Sequence, residues 1–146
     1  QKKVSWTYLN EDESRVFSAF LDSRDTDLGA VEQSVSAYLE GIDANPTQTY
    51  FATIAVEEVC GVILDRAFSV NDGYIQLTLI ACEDGGFQLH VRDNAAGFDP
   101  FSLATQKLGE DGTVDLDAIG MLMVKKQARS FFYRQYQGFN TLVVSI

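Results

Sequence analysis

Apolar and polar residues change period several times along the chain, and each change marks an element. Val4 to Leu9 and Arg15 to Leu21 are rich in β-branched and aromatic residues and are separated by Asn10-Glu11-Asp12-Glu13, which predicts two strands in a hairpin. After the polar link Asp22 to Asp25, Leu28, Val31, Val35, Tyr38, Leu39 and Ile42 recur at spacings of three and four. With Thr26 or Asp27 as cap and Gly41 as stop, they predict a helix. Asn45-Pro46 opens a second helix, reaching to about Ser69, whose apolar face carries Phe51, Ile54, Ala55 and Val62. Tyr74 to Cys82 and Phe87 to Arg92 alternate as strands around the turn Glu83-Asp84-Gly85-Gly86. Phe101 to Leu116 is irregular. A third helix, capped by Asp115 or Asp117, runs to about Ala128. Strands Ser130–Gln137 and Thr141–Ile146 follow, joined by a three-residue loop, Gly138-Phe139-Asn140.

Strand pairs interrupted by amphipathic helices imply an α+β fold, a two-layer sandwich in which helices cover one face of a mostly antiparallel mixed sheet. A chain of 146 residues is the size of one domain, spanning 1–146. The net charge of −10, with no basic stripe, argues against nucleic acid, and no apolar run is long enough for insertion into a membrane. Cys60 and Cys82 lie among apolar neighbours inside elements, which points to two reduced, buried thiols and a cytoplasmic setting. The start at Gln1-Lys2-Lys3, without an initiator Met, reads as a domain excised from a longer chain.

Candidate chemistry gathers at two places. Glu58 falls on the apolar face of the second helix, Asp65 at its edge, and Glu57 elsewhere. A carboxylate inside an apolar stripe is costly unless it is paired or faces a water-filled cleft; the alternative is a stripe that reaches the surface at Glu58. The second place is the end of the strand Phe87 to Arg92, where Asp93-Asn94-Ala95-Ala96-Gly97 delivers a carboxylate followed by small residues, as a pocket floor would. The one histidine, His90, has no neighbouring Cys or His in the sequence, so a hydrogen-bonded or surface role is expected rather than metal ligation.

Asp93 to Pro100 resembles the D-x-G-x-G-F-D-P motif of the GHKL (histidine-kinase-like) ATPases, closest to the bacterial anti-sigma factor branch of serine-protein kinases. Asp93, Gly97, Phe98, Asp99 and Pro100 match, while Ala95 replaces the first glycine. Glu58 to Phe68 is similar to the family's helical E-x-x-x-N motif, with Val62 in place of the Asn that ligates Mg²⁺. Asp117 to Val124 is similar to G-G-x-G-L-x-L-[IV], keeping only Gly120, and Gly138 to Thr141 resembles the terminal G-x-x-T.

The resemblance implies a Bergerat-type ATPase fold and a nucleotide pocket of Asp93, Gly97, Gly120 and Thr141 sharing one cleft with Glu58, the candidate general base. In the family the irregular stretch after Phe101 is a mobile lid over the nucleotide. It implies ATP and Mg²⁺ as cofactors, a regulatory protein partner (a sigma factor or an anti-anti-sigma-like protein), signal transduction in transcription regulation, and a homodimer. Val62 offers no oxygen to a hard cation, with Asp65, one turn on, as a partial substitute, and Asp117 sets a negative charge where the family holds phosphate. Weak nucleotide binding with little or no phosphoryl transfer is therefore expected, a pseudoenzyme; the alternative is an active serine-protein kinase and anti-sigma factor of a partner-switching system.

Overall fold

In the computed structural model the described residues are 15–22, 27–68, 73–95, 97–105 and 115–146. They form β1 (Val16–Asp22), α1 (Leu28–Gly41), α2 (Pro46–Val62) continuing into a π-helical turn (Ile63–Ala67), β2 (Tyr74–Ala81), β3 (Phe87–Asp93), a 3₁₀ turn (Pro100–Thr105), α3 (Leu116–Gln127), β4 (Ser130–Tyr136) and β5 (Phe139–Ser145). The expected strand Val4–Leu9, the turn after it and most of the expected lid lie outside the described residues.

The five strands make one sheet in the order β1-β2-β3-β5-β4, and every pairing among the described strands is antiparallel. Strand alternation decides the faces. Ile75, Leu77 and Leu79 of β2, Leu89 and Val91 of β3, and Leu142 and Val144 of β5 are fully or almost fully buried against Val35 and Leu39 of α1, Val56 and Val59 of α2, and Met121 and Val124 of α3. All three helices thus cover one face, giving the two-layer α+β sandwich that the pattern predicts.

The helices start where short polar side chains accept the first free N–H groups: Asp27 from Ala30, Asn45 from Thr47, and Asp115 from Asp117. The buried face of α2 is Phe51, Ala52, Ala55, Val56, Val59, Cys60 and Val62. This stripe is rotated from the expected one: Ile54 is only half-buried, and Glu58 lies beside the stripe rather than within it. Helical hydrogen bonding widens to a π turn at Ile63 and the helix ends at Ala67, short of Ser69. Neither Cys60 nor Cys82 forms a disulfide. Cys60 is buried, with its pKa pushed up to about 12 chiefly by burial, whereas Cys82, at the strand end, is only half-buried.

The connection between β4 and β5 differs from the expected three-residue loop. Tyr136 pairs with Phe139, so the loop is the two residues Gln137 and Gly138, with φ of 48° and 80°. Two successive positive φ values define the type I′ turn that matches the twist of a hairpin. Phe139 and Asn140 therefore belong to β5. The start of the irregular stretch is likewise more ordered than expected, since Phe101 and Leu103 of the 3₁₀ turn are buried and the Phe101 ring packs 4.3 Å from that of Phe131.

Candidate functional site

Asp93 closes β3 on the helix-covered face, in phase with Phe87, Leu89 and Val91, and is 3% exposed. A carboxylate at that depth requires donors. Its Oδ1 accepts from Asn140 Nδ2 at 2.8 Å and from the Ala95 backbone N–H at 2.9 Å. Asn140 also donates to the Ala95 carbonyl at 2.9 Å, and its Oδ1 accepts from the Tyr133 hydroxyl at 2.9 Å. Tyr133 Oη in turn accepts the Phe98 N–H at 3.0 Å. The chain Phe98, Tyr133, Asn140, Asp93 thus ties the loop after β3 to β4 and β5. Burial raises the Asp93 pKa, against the lowering effect of Asn140 and the Ala95 N–H. Gly97 belongs to the same corner: a Cβ there would collide with the Gln135 carboxamide.

Thr141 does not join them. Asn140 pairs with Asp93, so Thr141, one residue on, pairs with Arg92 and faces the opposite side of the sheet. This corrects the expectation that Thr141 borders the pocket. The residue beside Asp93 is Asn140, missed because the strand was begun two residues late, at Thr141 instead of Phe139. The inward alternation of Ile146, Val144 and Leu142, continued backwards, would have reached it.

The other cluster joins α2 to α3. Glu58 packs its carboxylate over Gly120, where a Cβ would collide with it. Burial, then the charges of Glu57 and Asp117, raise the Glu58 pKa. Glu58 and Asp93 both lie on the helix-covered side, and Cys60 of α2 stands close enough to Asp93 to feel its charge. One turn beyond the core, Arg66 of the π turn reaches across to the start of α3. It donates Nη2–H to Asp115 at 2.9 Å and Nε–H to Asp117 at 3.0 Å. These contacts span about fifty residues of sequence, and no local pattern announced them.

The helix N-terminus that the resemblance would assign to phosphate is therefore occupied by its own capping carboxylate, a second carboxylate and the guanidinium that binds both. The donor set does not suit a hard cation either. Val62 is 1% exposed within the core, Asp65 is exposed on the π turn, and no group of three or more His, Cys, Asp or Glu among the described residues could hold a metal ion. The His90 ring is hydrogen-bonded to Gln88 Oε1 at 3.1 Å, on the far face of the sheet, and burial lowers its pKa.

A single antiparallel sheet with helices on one face, and a buried Asp at the end of an inner strand, define a histidine-kinase-like α+β domain. The sequence profile of the histidine kinase-like ATPase domain matches residues 21–146, and the chain belongs to that family. No curated protein matches the chain in sequence. Among solved structures, it is similar to the RsbU and RsbW domains of Rv1364c from Mycobacterium tuberculosis, at 14% identity and a TM-score of 0.62, covering 89% of this chain and 31% of that one. It is also similar to the histidine kinase domain of the Erythrobacter litoralis EL346 blue-light activated histidine kinase, at 15% identity and a TM-score of 0.53, covering 82% and 64%. A second structure of that kinase matches at 16% identity and a TM-score of 0.55, covering 82% and 41%. The chain thus spans about a third to two thirds of the structures it matches, and at these identities the likeness is one of fold. No helix among the described residues is long and apolar enough to cross a membrane.

Proposed function

We propose that this is a regulatory domain of the anti-sigma factor branch whose nucleotide site keeps its adenine end and has lost its phosphate and metal end. The observation that carries this reading is the Arg66 bridge to Asp115 and Asp117 at the start of α3. It places two carboxylates where a polyphosphate would need N–H donors, and one guanidinium does not neutralise both. Val62 supplies no metal ligand. At the other end Asp93 remains buried and held, as a reader of an adenine amino group would have to be. The domain then acts through a protein partner, a sigma factor or an anti-anti-sigma-like protein, in signal transduction. One feature supports the active serine-protein kinase instead: the Glu58 pKa is raised, chiefly by burial, as suits a general base.

Calorimetric titration with ATP, with ATP and Mg²⁺, and with adenosine separates the two. The expected result is weak binding, insensitive to Mg²⁺ and similar for adenosine and ATP. Micromolar, Mg²⁺-dependent binding of ATP would overturn the degenerate reading and bring the kinase forward.

A further inference from the structure

The face of the sheet turned away from the helices carries a second arrangement of side chains, at its β4 edge. Arg92 of β3, Thr141 of β5 and Arg134 of β4 form one row across three strands, since Arg92 pairs with Thr141 and Thr141 with Arg134. Together with Phe132, Tyr136 and Phe139 they line an open cleft of about 270 Å³. Neighbouring strands lie about 4.8 Å apart, so the two arginines straddle Thr141 at roughly twice that spacing. Each guanidinium lies over a ring, Arg92 at 4.2 Å from the centroid of Phe139 and Arg134 at 5.1 Å from that of Tyr136. For the exposed Arg134 this stacking fixes the guanidinium plane and leaves N–H donors at its rim for a carboxylate.

Two described arginines outside this cleft are already paired, Arg66 with Asp115 and Asp117, and Arg129 with Asp84. Among the described residues Arg134 has no carboxylate partner and no acidic side chain lines the cleft. The whole chain carries −10, so attraction for an acidic group has to be local, within the screening distance of about 8–10 Å.

The cleft also adjoins an edge of the described sheet. β4 is the last of the described strands in the sheet order, pairs in unbroken register with β5, and contains neither Pro nor a bulge, with Arg134 as its one charge. It is exposed along nearly its whole length, with Phe132 at 53% and Tyr136 at 58%. From β4, Phe132, Arg134 and Tyr136 share the cleft face, because strand side chains alternate.

We infer that β4 and the Arg92–Arg134 cleft form a docking site for an extended acidic segment of a partner protein, which adds to the sheet as a further strand. Main-chain hydrogen bonds to the β4 edge hold it. An acidic side chain lies opposite Arg134, and apolar side chains two residues to either side lie against Phe132 and Tyr136. This site is independent of the nucleotide reading, being on the other face of the sheet.

The test uses fluorescence anisotropy with the labelled peptide Thr-Val-Thr-Glu-Thr-Val-Thr, its central Lys counterpart, and the Glu peptide N-methylated at alternate amides. The domain is expected to prefer the Glu peptide over the Lys peptide by about fivefold, as one cross-strand charge pair implies. Arg134→Glu should reverse the preference, and N-methylation should abolish binding. Arg134 is exposed, so the variant should fold; if its melting curve shows otherwise, Arg134→Gln should abolish the preference. Equal binding of both peptides, a preference indifferent to position 134, or tolerance of N-methylation would each overturn the proposal. Sedimentation showing a dimer whose dissociation is needed before the peptide binds would give the edge to a second copy of the chain and overturn it as well.

Discussion

Asn140→Ala is expected to be among the most damaging single truncations in the domain, although the side chain is small and polar. Asn140 is 1% exposed and makes three hydrogen bonds, to Asp93 Oδ1, the Ala95 carbonyl and the Tyr133 hydroxyl. The bond to the carboxylate is worth about 1.5–3 kcal/mol and each of the other two about 1 kcal/mol, with partners left buried and unsatisfied. The sum is about 3–5 kcal/mol, against the 5–15 kcal/mol that holds a typical domain together. Urea unfolding followed by circular dichroism measures it directly, and a double-mutant cycle with Asp93→Ala isolates the shared part. Coupling of at least about 1.5 kcal/mol is expected, because the two side chains touch. The sign of the pH dependence follows from Asp93, whose pKa burial raises. A carboxyl raised in the folded state favours the fold below its folded pKa and weakens it as pH rises through that value. Losing the Asn140 donor raises it further, so the deficit of Asn140→Ala should widen with rising pH. A variant within about 1 kcal/mol of the parent, or additivity with Asp93→Ala within about 0.5 kcal/mol, would refute the network.

Three further outcomes can be checked with the same assays. Gln137→Asn should stabilise the domain by about 0.5–1 kcal/mol, since Asn tolerates the positive φ that this turn imposes and Gln does not; unchanged urea midpoints would count against the I′ assignment. Gly120→Ala should push the Glu58 carboxylate, the movable end of its side chain, aside and change stability by less than about 1 kcal/mol, since alanine's helix propensity in α3 offsets the contact; a larger loss that Glu58→Ala recovers would mean that the carboxylate is pinned. Arg66 holds the Asp115 carboxyl below its ordinary range, so the contribution of this pair is present above the unfolded carboxylate pKa and lost as pH falls through the folded one. Carbon-detected NMR titration should show Asp115 moving up towards the ordinary range in Arg66→Ala, and no movement would mean that the bridge is absent in solution.

The fold was legible because its signals are local and redundant. Each described helix begins at or within a residue of an Asp or Asn that the sequence already offered as cap, and β3 reads out its buried face by strict alternation. The site was legible only where it rests on one residue at a strand end. Asp93 could be placed from β3 alone, and Gly97 from its distance along the loop. Asn140 was assigned to the loop and Thr141 to the head of the strand because the loop was read as three residues, although the alternation of Leu142, Val144 and Ile146 already turns Asn140 inward and Thr141 away. Helix α2 shows the same sensitivity in another form. Ideal 100° steps centred the stripe too near Ile54 and Glu58, and the widening at Ile63 then carried Arg66 towards α3 in a way no periodic rule describes.

On the proposed reading, the two ends of the site are independent for an electrostatic reason. At the Asp93 end Oδ1 of Asp93, Asn140, Tyr133 and the Ala95 and Phe98 backbone are bonded to one another, so the pocket floor keeps its shape whether or not a ligand is present. At the α3 end the helix dipole and the free N–H groups would draw an anion, and Asp115 already answers both as the cap. Asp117 then adds a second negative charge within the same turn. Arg66 is what makes this tolerable for the fold, since without it two carboxylates would stand side by side. A polyphosphate arriving there would have to displace Arg66 from both carboxylates or share it with them, and either course costs the fold the contact that joins the π turn to α3. Loss of phosphate affinity and the tie between α2 and α3 are thus one arrangement, and replacing Asp117 alone by glycine would loosen the second without restoring the first.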